Sequence, residues 1–410
     1  MHLIYNLFIF FYLLAVRCLA VKNQKAKLWI KGRKDVFKQI SEQVPNNEDI
    51  IWFHCASLGE FEQARPLIEC VKQQQIAYKI LLTFFSPSGY EIQKNYKYAD
   101  YVFYLPHDTV ANAKKFLRMV QPKYIFFIKY EFWYNYINQA YKQNIPFYSV
   151  SCIFSKNQFY FKWYGAWFRK QLHCVTHFFT QDENSKNLLN KYGLSHVSVC
   201  GDTRFDRVYE IVNQAKQIDF FSNLKLKNNI IVAGSTWSED EKLLTQLLEN
   251  HNFTLIIAPH EVHKERIEEI ERRFAAYSPI RYTQLPSEMN VKEMQVLVID
   301  VIGILNSLYR YASIAYIGGG FGKGIHNILE AATYGKPIIF GRNYKKFKEA
   351  NDLIGLYAAF SVSNYEDLNK VICQLSADPR AIQNAGNKAK QYVMDNIGAS
   401  QNIYIEVFKG

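Results

Sequence analysis

The chain runs twice through one pattern: an apolar strand, a loop of small polar residues, and a helix that opens on an acidic residue. The first pass begins with Asp49–His54, the loop Cys55-Ala56-Ser57-Leu58-Gly59 and a helical stretch from Glu60 to Gln75. The second begins with Asn229–Ala233, the loop Gly234-Ser235-Thr236 and a helix over Glu239–Asn250. Further strands are expected over Lys79–Phe84, Tyr101–Tyr104, Tyr124–Lys129, Pro146–Val150 and Cys174–Thr180 in the first half. The second half continues with Thr254–Ala258, Val296–Ile299, Ile314–Ile317 and Pro337–Phe340. Strands alternating with helices imply parallel, doubly wound sheets, so the fold class is α/β. At roughly 100–200 residues per domain, 410 residues hold two Rossmann-like domains. Their join is expected within 205–228, giving domains over 22–205 and 206–410. Two such domains facing each other leave a cleft at the carboxyl ends of their strands.

Residues 1–21 stand apart from this pattern. Leu3–Val16 is an apolar run of 14 residues, and Lys22, Lys25, Lys27, Lys31, Arg33, Lys34 and Lys38 follow it against the single acid Asp35. An apolar helix followed by a basic cluster is the pattern of a membrane anchor on the cytoplasmic face. No basic residue precedes the run, which argues against a cleaved signal peptide. A second stretch, Lys156–Lys170, holds seven aromatic and four basic residues with no acid. These two stretches supply ten of the chain's net charge of +12. Charge so confined points to an anionic surface and phosphorylated lipid rather than to nucleic acid, for which no binding motif is present. The seven cysteines form no C-x-x-C pair, which argues against a disulfide framework and against a zinc site.

Five glycines fall within Gly318–Gly324, between an expected strand and a helix over Asn327–Tyr334. Such a loop lets an anion approach backbone N–H groups at a helix end. It fits neither G-x-G-x-x-G nor the nucleotide-hydrolase G-K-[ST] ending. Gly319, Gly320, Gly324, His326, Asn327 and Glu330 are the candidates there, Glu330 as an acceptor for ribose hydroxyls. Ser235 and Thr236 offer hydroxyls at the corresponding corner of the same half, where ordinary helix capping is an equal reading. In the first half, Glu60 stands at a strand-to-helix corner, placed to act as a general base. The alternative there is a capping box in which Ser57 caps the helix and Glu60 is its partner. Glu131 and Asn135, four residues apart, would share a helix face, and Arg204 would contact phosphate or pair with Asp202 or Asp206.

The ordered motifs KGRK (31–34), HCASLGE (54–60), TFFSPSG (83–89), YLPHD (104–108), YEFWYN (130–135), GDTRFD (201–206), AGSTWSEDE (233–241) and GGGFGKGIHNILEAATYGKP (318–337) resemble the 3-deoxy-D-manno-octulosonic acid (Kdo) transferases of lipopolysaccharide synthesis. The resemblance implies a GT-B glycosyltransferase: two Rossmann-like domains facing a cleft, with an N-terminal membrane-anchoring helix at the cytoplasmic face of the inner membrane. It implies inverting transfer of Kdo from CMP-Kdo to a lipid A precursor (lipid IVA), with Glu60 as catalytic base and Glu131, Ser57, Lys31 and Arg33 on the acceptor side. Arg204, Ser235, Thr236, His260 and the glycine-loop residues would bind CMP-Kdo, with no cofactor and no metal. Another membrane-associated GT-B enzyme using a UDP-sugar is the alternative. The chain departs from the family at Lys129, often Glu; at Tyr134, where Trp-Pro-Asn is usual; and at Pro259-His260-Glu261, where the family carries Pro-Arg-His. It also reads Gly303-Ile304-Leu305 for Gly-Glu-Leu.

Overall fold

The computed structural model describes residues 2–74, 77–215, 217–218, 221, 230–285 and 294–409. Gln75, Asn229 and residues 216, 219–220 and 222–228 of the expected join lie outside them. The chain divides into two compact units, Met1–Arg207 with Ile397–Gly410, and Val208–Asn396. The second domain was expected to continue to residue 410; the structure instead returns the C-terminal segment to the first unit. The reason is local. The Asp206 carboxylate accepts from the backbone N–H groups of Gly398 and Ser400, capping the helix Ala399–Phe408. Ile403 and Tyr404 of that helix then bury themselves against Phe61 and Leu67 of the helix Leu58–Gln74 in one core.

The first unit holds a seven-stranded parallel sheet: β1 (Ile50–Cys55), β2 (Lys79–Phe84), β3 (Tyr101–Tyr104), β4 (Pro122–Ile128), β5 (Phe147–Cys152), β6 (His177–Thr180) and β7 (Val197–Val199). Their order is β3-β2-β1-β4-β5-β6-β7. β1 is buried along its whole length because both sheet faces are covered. Trp52 points into a core with Phe116, Phe127 and Tyr136, while Ile51 and Phe53 point into the opposite core with Phe61 and Phe126. The second unit repeats the plan with β8 (Ile230–Thr236), β9 (Thr254–Pro259), β10 (Ile280–Arg281), β11 (Val296–Val298), β12 (Ile314–Ile317), β13 (Ile338–Gly341) and β14 (Ala359–Val362). Their order is β10-β11-β9-β8-β12-β13-β14. The first order reverses direction between β1 and β4 and the second between β8 and β12, with β10 lying outside β11 at the far edge of the second sheet. The crevice at such a reversal is where ligands bind in open α/β sheets.

The apolar N-terminal helix, His2–Leu19, is long and apolar enough to cross a membrane. One of its faces is nevertheless seated on the first unit. The Tyr5 hydroxyl donates to Asp108 (2.6 Å), Asn135 donates to Asn6 (3.1 Å), and Ile9 is buried. The other face, with Leu3, Ile4, Leu7, Phe10, Phe11 and Leu14, is exposed. The aromatic segment after β5 divides in the same way: Tyr160 and Phe161 are buried, whereas Trp163 is 91% exposed.

Candidate active site

In the first unit the loops after β1 and β4 flank the sheet reversal, and each delivers one carboxylate. Glu60 lies in the first turn of the helix Leu58–Gln74. Its Oε2 accepts from the Ala56 N–H, so the side chain folds back over the corner rather than bonding Ser57 in a capping box. Burial pushes the Glu60 carboxyl up to about 7, the negative charge of Glu131 adds to this, and Lys129 opposes it. A carboxyl so placed exchanges its proton near neutral pH, the property a general base needs.

Glu131 stands on the loop after β4, not on a helix, because the helix begins only at Tyr134. The expected helix face shared with Asn135 therefore does not form. Asn135 is instead buried, donating to the Asp108 carbonyl and to Asn6. Glu131 Oε2 accepts from the Trp133 indole N–H at 2.7 Å and lies 3.9 Å from His54 Nε2. His54 is fully buried next to the end of β1, its Nδ1 bonded to Thr83 Oγ1 at 2.9 Å, and burial lowers its pKa. Sequence reasoning passed over His54 and Trp133. The HxxSxGE spacing carried the signal for the first, since two residues on from the apolar Trp52 a histidine must share its buried face.

Arg33, assigned to the acceptor side, is consumed by the protein. Its guanidinium donates to the carbonyl oxygens of Trp29, Phe85 and Leu105 and lies over the Trp29 ring. Burial lowers its pKa to about 9. Lys31, at the end of the helix Gln24–Lys31, is exposed, and Ser57 is half-buried in the turn before Glu60. Arg204 belongs to the first unit, not to the one that carries the glycine loop. Its Nε donates to Asp202 Oδ2 at 2.8 Å, and Asp202 Oδ1 also accepts from Gln63. The GDTRFD motif thus locks the end of the first unit: Asp202 ties Arg204 to Gln63, and Asp206 caps the last helix.

In the second unit the loops after β8 and β12 enclose a cavity of about 520 Å³ lined by Trp237, Asp240, His260, Gly319, Lys323 and His326 among others. His260, Gly319, Gly324 and His326 were singled out from sequence, and the structure brings them together here. The rings form a column: Trp237 stacks on His260 with centroids 4.9 Å apart, and His260 on His326 at 4.3 Å. The Trp237 indole donates to His326 Nε2 at 3.2 Å. Burial and then the neighbouring His260 lower the His326 pKa. A flat aromatic column of this kind suits a nucleobase.

Asp240, which sequence reasoning missed, joins the two loops. It accepts from the N–H groups of Trp237 and Gly319 and from the Tyr316 hydroxyl. Thr236 is buried and donates to Glu241, within a cluster that includes Arg266, so its hydroxyl does not face the cavity. Ser235 takes φ +54° at a bulge in β8. The glycine loop also differs from expectation. The N–H groups of Gly318, Gly319, Gly322 and Gly324 bond within the unit, and the helix after it spans just Leu329–Thr333. Asn327 caps that helix by accepting from Leu329 N–H and donates to Glu330. Two of the glycines answer to packing: a Cβ on Gly318 would stand 2.2 Å from the Ser235 carbonyl, and one on Gly320 2.5 Å from Gly341 N. Gly318→Ala is expected to destabilise the protein by at least about 1–3 kcal/mol through overpacking against backbone. Denaturant unfolding measures this, and a wild-type midpoint would contradict it.

Two seven-stranded parallel sheets, one in each unit, with a raised carboxyl at the reversal of one and an aromatic-lined cavity at the reversal of the other, make a GT-B-like α/β fold. Residues 31–207 match the family model for 3-deoxy-D-manno-octulosonic-acid transferase (kdotransferase). The chain is 28% identical to the 3-deoxy-D-manno-octulosonic acid transferase of Rickettsia bellii over 399 residues, covering 95% of this chain and 93% of that protein. It is 27% identical to a bifunctional glycosyltransferase/methyltransferase of Fusobacterium nucleatum, where the match covers 83% of this chain and 55% of that protein. The fold is shared with UDP-GlcNAc 2-epimerase of Neisseria meningitidis, at a TM-score of 0.63 and 16% identity over 88% of this chain and all of that one.

Proposed function

We propose that the chain transfers Kdo from CMP-Kdo to a lipid A precursor such as lipid IVA, with inversion, at an anionic membrane surface on the cytoplasmic face of the inner membrane. The observation that carries this reading is Glu60, half-buried at the sheet reversal with its carboxyl raised to about 7. Glu60 takes the proton of the acceptor hydroxyl as its oxygen bonds the anomeric carbon of Kdo. The bond from that carbon to the CMP phosphate oxygen breaks on the opposite face, and CMP departs with the electron pair. Glu131, held by Trp133, serves the acceptor side, where its charge keeps Glu60 basic. The Trp237–His260–His326 column receives the cytosine base, and Lys323 stands near the phosphate. The reading is supported by the relatives' names and by the motif order, which runs through both units.

The test is incorporation of radiolabelled Kdo from CMP-Kdo into a tetra-acylated lipid A precursor by the full chain. Trp237→Ala is expected to raise KM for CMP-Kdo about tenfold, as loss of one stacked base contact of roughly 1–3 kcal/mol predicts. An unchanged KM would remove the column from the donor site.

A further inference from the structure

A cavity of about 270 Å³ opens between the helix His2–Leu19 and the aromatic segment after β5. Tyr5, Phe8 and Ile9 form one wall, Trp133 and Phe168 face them, and Glu131 lies at its rim. The helix is held in register there by the Tyr5–Asp108 and Asn6–Asn135 hydrogen bonds, whose partners lie at the start of the helix Tyr134–Lys142. Asp108 also accepts from Asn135 N–H and Tyr136 N–H, so the carboxylate that seats the N-terminal helix also caps the helix following Glu131. A free tether would need no such buried polar ties.

Resting on the proposed lipid acceptor, we propose that this cavity binds one acyl chain of that acceptor and that the N-terminal helix is one wall of the binding site. Three observations favour an acyl chain. The lining is mostly aromatic, with Ile9 beside it and Glu131 and Gln171 as its polar members. Glu131 is itself part of the lining, so an acyl chain held there lies beside one of the two carboxylates. The exposed apolar face of the helix, and Trp163 and Tyr164 of the aromatic segment, are surfaces that a bilayer would cover. At ~30 Å³ per group, the volume holds roughly nine methylenes, a large part of one chain.

Binding of a dodecyl chain brominated near its end tests this in the full-length protein in neutral detergent, read as quenching of tryptophan fluorescence. Quenching is expected to fall sharply in Trp133→Phe, and affinity to fall about tenfold in Ile9→Gln and in Phe8→Gln, whose exposed ring borders the cavity. Phe10→Gln, on the exposed face of the helix, is expected to keep wild-type affinity. Equal losses in all three glutamine variants, or quenching indifferent to Trp133, would overturn the pocket and leave the helix as an anchor. In the transfer assay, Ile9→Gln is expected to raise KM for the acylated acceptor about tenfold with little change for a de-acylated one. An inactive wild-type protein with intact chain binding would count against the Kdo reading while the pocket stands.

Discussion

Replacing Glu60 by Gln is expected to lower kcat by about 10²–10⁴, the range a positioned general base contributes. Glutamine keeps an oxygen to accept from the Ala56 N–H, so the corner and the helix behind it should persist, and the loss should appear without a shift in unfolding midpoint. The pH profile carries more information than the loss itself. Glu60 must be ionised to accept a proton. With its carboxyl raised to about 7 by burial and then by Glu131, kcat/KM should fall tenfold per unit below that pH. Glu131→Gln removes the neighbouring negative charge, so the Glu60 pKa drops and the acid limb moves to lower pH. A limb that does not move in Glu131→Gln would separate the two carboxylates, and a Glu60→Gln enzyme with near wild-type turnover would remove Glu60 as the base.

The largest effect on stability is expected at Glu241. This carboxylate is fully buried beneath the second-unit cavity, where it accepts from Thr236 and pairs with Arg266; Arg273 lies 3.8 Å away. Burial raises its pKa and the arginines work against that rise. Removing Glu241 takes from the buried Arg266 one of its two carboxylate partners, Glu269 remaining at 2.8 Å, and takes from Thr236 its acceptor; breaking a buried pair costs about 3–5 kcal/mol, and Glu269 sets the cost here toward the lower end. Glu241→Ala should therefore lose a sizeable part of a typical domain's margin of ~5–15 kcal/mol, read as a drop in the urea midpoint. The double variant Glu241→Leu with Arg266→Met should recover much of the loss, because it removes both buried charges. A wild-type midpoint in the single variant would mean that Glu269 alone compensates Arg266.

The long buried strands were legible in the sequence because parallel strands covered on both faces read as unbroken apolar runs, as Ile50–Cys55 and Thr254–Pro259 do. Val197–Val199, Ile280–Arg281 and Ala359–Val362 escaped notice. All three are sheet edges of two to four residues, where half the burial and most of the pattern are missing. Among site residues, Glu60 and the histidines of the glycine-loop cavity were recoverable from corners and motifs. Arg33, Thr236 and Asn135 were not. In a linear sequence a polar residue that binds a ligand looks the same as one that satisfies buried backbone. What separates them is the partner, and those partners lie far along the chain: Leu105 for Arg33, Arg266 and Glu241 for the Thr236 cluster, Asn6 for Asn135. The C-terminal helix was misplaced for the same reason, since the Asp206 that caps it lies almost two hundred residues away.

In the proposed function, Glu60 is the base for Kdo transfer to a lipid acceptor. Mass spectrometry of the lipid formed by the purified full chain with CMP-Kdo and tetra-acylated lipid A precursor tests it most directly. The account predicts a product heavier by one or more Kdo residues, absent with Glu60→Gln. An unmodified acceptor with CMP-Kdo, together with a hexose adduct when a UDP-sugar is supplied, would contradict it.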